Sequence, residues 1–257
     1  MILEIDHIAI SSMNFHDDIE FFKSMGYELK FIESNVDNLM IKHSLLHNYQ
    51  STHDIALLTL TDNLGIELVN HKTIHKSNEY VVPIFENVDS NLFLNQEKNA
   101  NMIGTQLKMK LMEIPAYVSN NKQDSPFHFT KFVVMVDDIE KSAQFWKLLG
   151  FKIIKIMPEF TLLEFKALFN KNTYHLYLQK IENNKEHYLD DTGFNCVALI
   201  SNNSVSDKKT LDDNGVTVTD VQKLTIGNKT LDIFFAIGPS NELVEVISTS
   251  NSIDKTE

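Results

Sequence analysis

The stretch TKFVVMVDDIEKSAQFWKLLGF at residues 130–151 returns near the N-terminus, almost without gaps, as DHIAISSMNFHDDIEFFKSMGY at 6–27. A constant offset carries His7 onto Lys131, Asn14 onto Asp138, Phe21 onto Phe145, Lys23 onto Lys147 and Gly26 onto Gly150. Few of these are identities, but the residue types match, and the chain is read as a duplication. In each copy a short apolar run leads into acidic or amide residues, then a helix of about three turns, then a glycine and an aromatic. Val133, Val134 and Val136 are β-branched and favour a strand. Asp138 is expected to cap a helix whose core face is Ile139, Ala143, Trp146 and Leu149. Asn14, with Ile19, Phe22 and Met25, is expected to do the same in the first copy. Gly26 and Gly150 fall where a helix ends in the left-handed conformation, which costs a glycine no Cβ clash.

In chain order, residues 1–11 read as a strand that turns Ile2, Ile5, Ile8 and Ile10 to a core, followed by a helix at 15–25. Further strands are expected at 27–34, 53–60 and 66–69, the last two separated by turn residues at 61–65. Residues 39–50, with His43 and His47, fit either a strand or a connecting loop. A shorter round begins at Tyr80: VVPIFE is a strand with a proline suited to an edge or a strand start, 88–98 is read as a helix on Val88, Leu92 and Leu94, and 106–112 as a strand. The polar, turn-rich YVSNNKQDSP at 117–126 is read as a domain linker. After the organising repeat come strands at 152–156, 161–166 and 174–180. A fourth round runs from NCVALIS through a helix at 205–214, before Gly215, to strands at 230–236 and 243–248. The expected division is an N-terminal domain at 1–116 whose second module is degenerate, a linker at 117–126, a C-terminal domain at 127–248 and a frayed tail at 249–257.

With 257 residues, 43% of them hydrophobic, the chain can bury one large core or two ordinary ones, and the repeat offset favours two domains. A formal net charge of −12 repels phosphate backbones, so nucleic acid is not an expected partner. Cys196 is the single cysteine, which excludes an intramolecular disulfide framework and fits a reducing compartment. No apolar run reaches membrane-spanning length and MILEIDHIAI lacks the basic flank of a secretory signal, so a cytoplasmic location and no membrane partner are expected.

The motifs DHIAI at 6–10, the stretch at 130–151, NLGIELV at 63–69 and PSNELVEVI at 239–247 resemble those of the vicinal oxygen chelate superfamily, which includes glyoxalase I, extradiol catechol dioxygenases, and fosfomycin and bleomycin resistance proteins. The resemblance implies an α+β fold of tandem βαβββ modules that form two cupped half-barrel domains, in a four-module arrangement similar to that of the catechol dioxygenases. A metal or a substrate would sit in a cup. Family ligands come from the first and last strands of a module, which implies His7 and Glu67 in the first module, Tyr80 and Glu113 in the second, Lys131 and Tyr177 in the third, and Cys196 and Glu245 in the fourth.

An extradiol dioxygenase of this kind would need histidine at positions 131 and 196 beside Glu245. Lysine is a poor ligand and a lone thiol does not rebuild that triad, so ring cleavage is not expected. The N-terminal cup, with His7 and Glu67, suits one divalent ion of Fe, Mn, Ni, Zn or Co; the third ligand is left open among Glu113, Tyr80, His43, His47, His53 and His71. In the C-terminal cup the family pattern brings Lys131 and Glu245 together as a salt bridge in place of a metal, and makes Lys131, Tyr177 and Glu245 an alternative catalytic set that moves a proton.

Plainer roles fit some of these residues. His7 also suits a core histidine satisfied by a backbone carbonyl, and Cys196 a small buried hydrophobe. Glu67 and Glu245 lie in strands between apolar residues, where an unpaired carboxylate is costly, so each implies a function or a salt bridge. Two function classes follow. One is a glyoxalase-like enzyme whose metal acts as a Lewis acid on paired substrate oxygens while a carboxylate moves a proton. The other is a metal-free binding or sequestering protein of the resistance type, with cups that hold an apolar or cationic ligand. The partners expected are a small-molecule ligand or substrate and a second copy of the chain in a homodimer.

Overall fold

The computed structural model describes residues 1–73, 79–89, 92–100, 105–109, 115–119, 127–182 and 186–249, with the backbone alone described at 94–100. The first module is β1 (Ile2–Ser11), α1 (Phe15–Ser24), β2 (Glu28–Asp37), β3 (Thr52–Thr59) and β4 (Gly65–Asn70). Between β2 and β3 the ambiguous segment is a 3-10 turn, Met40–Leu45, rather than a strand. The third module repeats the order with β9 (His128–Val136), α2 (Ile139–Leu148), β10 (Lys152–Ile156), β11 (Phe160–Lys166) and β12 (Thr173–Lys180).

Asp138 caps α2 by accepting a hydrogen bond from the Lys141 N–H at 3.0 Å. Asn14 does not cap α1: its backbone, at φ −116° and ψ 53°, leaves the extended region a capping side chain needs. Gly26 and Gly150 both end their helices with positive φ, +96° and +95°.

The second module contains β5 (Val81–Glu86), β6 (Phe93–Ala100), β7 (Thr105–Met109) and β8 (Pro115–Ser119). The helix expected at 88–98 is largely strand β6, paired with β7 through Phe93 opposite Met109 and Leu94 opposite Lys108. Cross-strand pairing there overrides a weak helical spacing of apolar residues. The fourth module is β13 (Gly193–Ser201), α3 (Ser204–Asp213), β14 (Thr217–Val218), β15 (Gln222–Ile226), β16 (Lys229–Ile237) and β17 (Leu243–Thr249).

The modules do not pair as consecutive halves. Among the described residues, one nine-stranded sheet runs β14-β16-β17-β13-β1-β4-β3-β2 with β15 on β16, and an eight-stranded sheet runs β10-β11-β12-β9-β5-β8-β7-β6. The first module therefore shares a sheet with the fourth, and the second with the third. Antiparallel seams join them: His7 faces Ala198 between β1 and β13, and Ile84 faces Lys131 between β5 and β9. The expected linker does not separate the sheets, because 117–119 belong to β8 and the chain re-enters the same sheet at β9; residues 120–126 lie outside the described residues, as do 250–257 of the expected tail.

One apolar core lies between the two sheets and their helices. It holds Phe85, Phe129, Phe132, Trp146, Phe194 and Phe234, all essentially without solvent contact. Phe85 and Phe129 meet edge to face at 5.0 Å, an arrangement the ring quadrupoles favour. Backbone bonds from the Leu64 N–H to the Phe129 carbonyl and from the Leu168 N–H to the Leu3 carbonyl stitch the sheets to each other. Smaller apolar clusters occupy the opposite face of each sheet, inside the cups.

Candidate metal centre

Strand alternation decides which residues reach the first cup. On β1, Ile8 and Ile10 enter the main core, which turns His7, Ala9 and Ser11 the other way. On β4, Ile66 and Leu68 are core and Glu67 and Val69 face the cup; on β17, Val244 and Val246 are core and Glu245 faces the cup; on β13, Val197 and Leu199 are core and Cys196 faces the cup.

Register completes the placement. Ala9 pairs with Glu67 across β1 and β4, and Ala198 with Glu245 across β13 and β17. At the seam Ala9 pairs with Cys196 and His7 with Ala198. His7 stands two residues before the partner of Glu67, and Cys196 two before the partner of Glu245, so the modules place these pairs equivalently. Gly65 lies opposite His7, and a Cβ there would stand 2.6 Å from the Asp6 carbonyl oxygen, which explains the glycine of NLGIELV.

Among the described residues, His7, Glu67 and Glu245 bring three ligand atoms within 4.8 Å of one another. His7 Nε2 lies 3.5 Å from Glu67 Oε2 and 3.9 Å from Glu245 Oε2. On the other side of the ring, Nδ1 is 2.8 Å from Asp6 Oδ2. The Nε2 atom is buried and makes no hydrogen bond among the described residues.

Without an ion, burial disfavours a His7 cation, but the carboxylates of Glu67 and Asp6 outweigh it and hold the imidazole well above its usual pKa. Burial likewise pushes Glu67 up, and the neighbouring His7 charge, with Lys42 and His53 beyond it, brings it below the usual carboxylate range. Glu245 is raised, chiefly by burial, against the opposing Lys42 cation.

These residues fit a divalent ion. A proton on His7 Nδ1 donated to Asp6 leaves the Nε2 lone pair facing the two carboxylates, the usual arrangement of a ligating histidine. Donors held about 2.1 Å from one ion at tetrahedral angles stand roughly 3.4 Å apart, close to the spacings found. One nitrogen and two carboxylate oxygens suit Fe, Mn, Co, Ni or Zn and differ from the two-histidine set of ferrous oxygenases.

The other sequence-identified positions lie elsewhere. Lys131 does not meet Glu245; its ammonium donates to Glu86 Oε1 at 2.8 Å in the second cup. Tyr177 shares that cup and packs on Phe160 at 5.4 Å. The pairing of β5 with β9 and β8 puts Val82 and Tyr117 at the cup positions expected for Tyr80 and Glu113. Tyr80 instead stacks on His187 at 4.2 Å, and Glu113 lies outside the described residues. Of the open histidines, His53 and His71 stack on each other at 6.1 Å, His47 is 3.0 Å from Asp191, and His43 packs on Tyr49. Cys196 is buried in the first cup, its thiol pushed up by burial and by Glu245.

Sequence reasoning missed Lys42. It lines the same recess as Glu67, Glu245, His71 and Cys196, and its ammonium lies 5.6 Å from the Phe235 ring centroid. No periodicity marks it, because it sits on the 3-10 turn.

A family model described as bleomycin resistance protein-like N-terminal matches residues 128–165. By sequence, no curated protein matches this chain. In structure it is similar to a point mutant of glyoxalase I from Zea mays, at 15% identity and a TM-score of 0.65, with 95% of this chain and 93% of that one covered. Unmutated glyoxalase I from Zea mays gives 14% identity and a TM-score of 0.63, with 95% and 92% covered. A candidate dioxygenase from Bacillus subtilis gives 9% and 0.62, with 96% and 86% covered. With βαβββ order in its first and third modules and four modules paired across two cupped sheets, this chain has the vicinal oxygen chelate fold.

Proposed function

We propose that the protein is an enzyme that uses one divalent metal ion, held by His7, Glu67 and Glu245, to act on a small molecule with two neighbouring oxygens. The reaction class is a lyase, isomerase or oxygenase step of the kind this fold supports. One observation carries the reading: a buried imidazole nitrogen with no hydrogen bond among the described residues faces two carboxylates at ligand spacing. A passive cup gains nothing from burying that set, since each charge removed from water is costly unless compensated.

The bound ion would supply Lewis acidity toward the substrate oxygens. Asp6 fixes the ring of His7 through Nδ1. Glu245, the second carboxylate at the ion, would take and return a proton once released from it. Lys131 and Tyr177 stand in the other cup and take no part in this reading.

A second reading, a metal-free binding protein, is favoured by a different observation. Cationic His7 and Lys42 would balance Glu67 and Glu245 with no ion present. Metal analysis of protein purified without a histidine tag separates the two. The enzyme reading expects one ion per chain, lost in His7→Ala; a parent protein that takes up no zinc, manganese, cobalt or nickel supports the binding reading.

A further inference from the structure

One buried charge beside the metal centre is not part of it: Lys42, whose nearest opposing charges are the carboxylates of Glu67 and Glu245. Lys42 is 8% exposed, and among the described residues its ammonium makes no hydrogen bond and no ion pair within 4.0 Å, lying 5.6 Å from the Phe235 ring centroid. A buried cation in that state is destabilising unless something compensates it. Its mount is rigid. The Ile41 N–H donates to Gln222 of the fourth module at 3.2 Å, and the Leu189 N–H to the Leu45 carbonyl at 2.8 Å. The His47 and Asn48 N–H groups donate to the two carboxylate oxygens of Asp190 at 2.8 and 3.1 Å. The turn that carries Lys42 is thus clamped from both sides over the recess.

Charge decides what the lysine meets there. A divalent ion would cancel Glu67 and Glu245, His7 would be neutral as its ligand, and burial keeps His53 and His71 neutral at pH 7. With the two carboxylates engaged by an ion, Lys42 is the cationic side chain that lines the recess beside them. We propose that Lys42 is the specificity-determining anion-binding residue of this site, and that the substrate carries a carboxylate or other ionised oxygen beside the oxygens that reach the metal. This rests on the metal reading above, and it names the substrate class that reading leaves open. The competing role is a permanent counter-ion for the two carboxylates.

The test is calorimetric titration of the full chain with cobalt(II), then of the cobalt-loaded protein with oxalate, a small dianion with paired oxygens, for the parent, Lys42→Met and Lys42→Arg. The parent is expected to take one cobalt and then oxalate. Lys42→Met should keep cobalt with equal or tighter affinity, because a nearby positive charge is gone, and should lose oxalate affinity by about tenfold or more. Lys42→Arg should restore much of it. Oxalate affinity within about twofold of the parent in Lys42→Met would overturn the proposal. So would a Lys42→Met protein that unfolds at lower urea or loses cobalt, since both mark a structural counter-ion. If the parent takes no cobalt, the metal reading falls by itself. Oxalate titrated into the metal-free proteins then decides on Lys42: binding by the parent that Lys42→Met loses supports an anion site, and equal or absent binding overturns it.

Discussion

The two cups share a backbone plan and differ in what lines it. Four equivalent positions carry His7, Glu67, Cys196 and Glu245 in the cup of the first and fourth modules, and Lys131, Tyr177, Val82 and Tyr117 in the cup of the second and third. The first set offers lone pairs and negative charge to one point. The second fills its centre with an apolar cluster of Val82, Ile84, Tyr117 and Val133, and Lys131 is neutralised by Glu86. One fold thus holds a cup with a buried His–Glu–Glu cluster beside a packed one, and a few side chains on equivalent strands make the difference.

Acid should affect the first cup most. Burial holds His53 at about 3 and His71 at about 4, below the ordinary value of 6.5. The unfolded chain takes up these protons first as pH falls, so the stability they contribute is present above 6.5 and is lost on the way down to the folded values. The slope is at most about 1.4 kcal/mol per pH unit for each histidine. Because burial raises the Asp18 carboxyl to about 6, which adds stability over part of the same range, the histidine contribution is read as the difference between parent and His71→Gln in urea unfolding of metal-free protein, with the parent losing more between about pH 6.5 and 4. Parallel pH profiles for parent and His71→Gln would contradict the buried neutral pair.

A double-mutant cycle tests how the modules pair. Lys131→Met should cost about 1–2 kcal/mol, less than a fully buried pair because both partners keep some water contact. Combined with Glu86→Gln its effect should be non-additive, whereas with Glu245→Gln it should be additive to within about 0.5 kcal/mol. Coupling between Lys131 and Glu245 would mean that the third and fourth modules share a cup after all.

The smallest effect separates the two repeats at their helix ends. Alanine at Gly26 or Gly150 should each cost about 1 kcal/mol, since φ is positive at both. Gly150→Ala should cost more. A Cβ there meets the Phe165 ring at 3.3 Å, whereas at Gly26 the nearest atom is Leu60 Cδ1 at 3.8 Å. Equal melting temperatures for parent and both variants would remove the claim.

Local chemistry made the units legible. The valine run of β9, the Asp138 cap and the glycine after each helix are decided within one module, and they formed where the sequence puts them. Module pairing is decided by surfaces far apart in the chain. Either the second or the fourth module could complete the first by its alternation of apolar residues, so the third ligand beside His7 and Glu67 is open in the sequence among Glu113, Tyr80 and nearby histidines, whereas Glu245 stands beside them. The same ambiguity misplaced the Lys131–Glu245 pair. Lys42 was invisible for another reason: its role comes from a turn folded over the recess, and no strand or helix period reports that.

The central claim is that one metal centre is assembled from the two ends of the chain. Elemental analysis of untagged protein after equilibration with zinc, manganese, cobalt or nickel and removal of free ion tests it most directly, comparing the parent with Glu245→Gln, Glu67→Gln and Lys131→Met. The account predicts one ion per chain in the parent and in Lys131→Met, and loss of most of it in both glutamate variants. Full metal retained by Glu245→Gln, or metal lost only on changing Lys131, would contradict it.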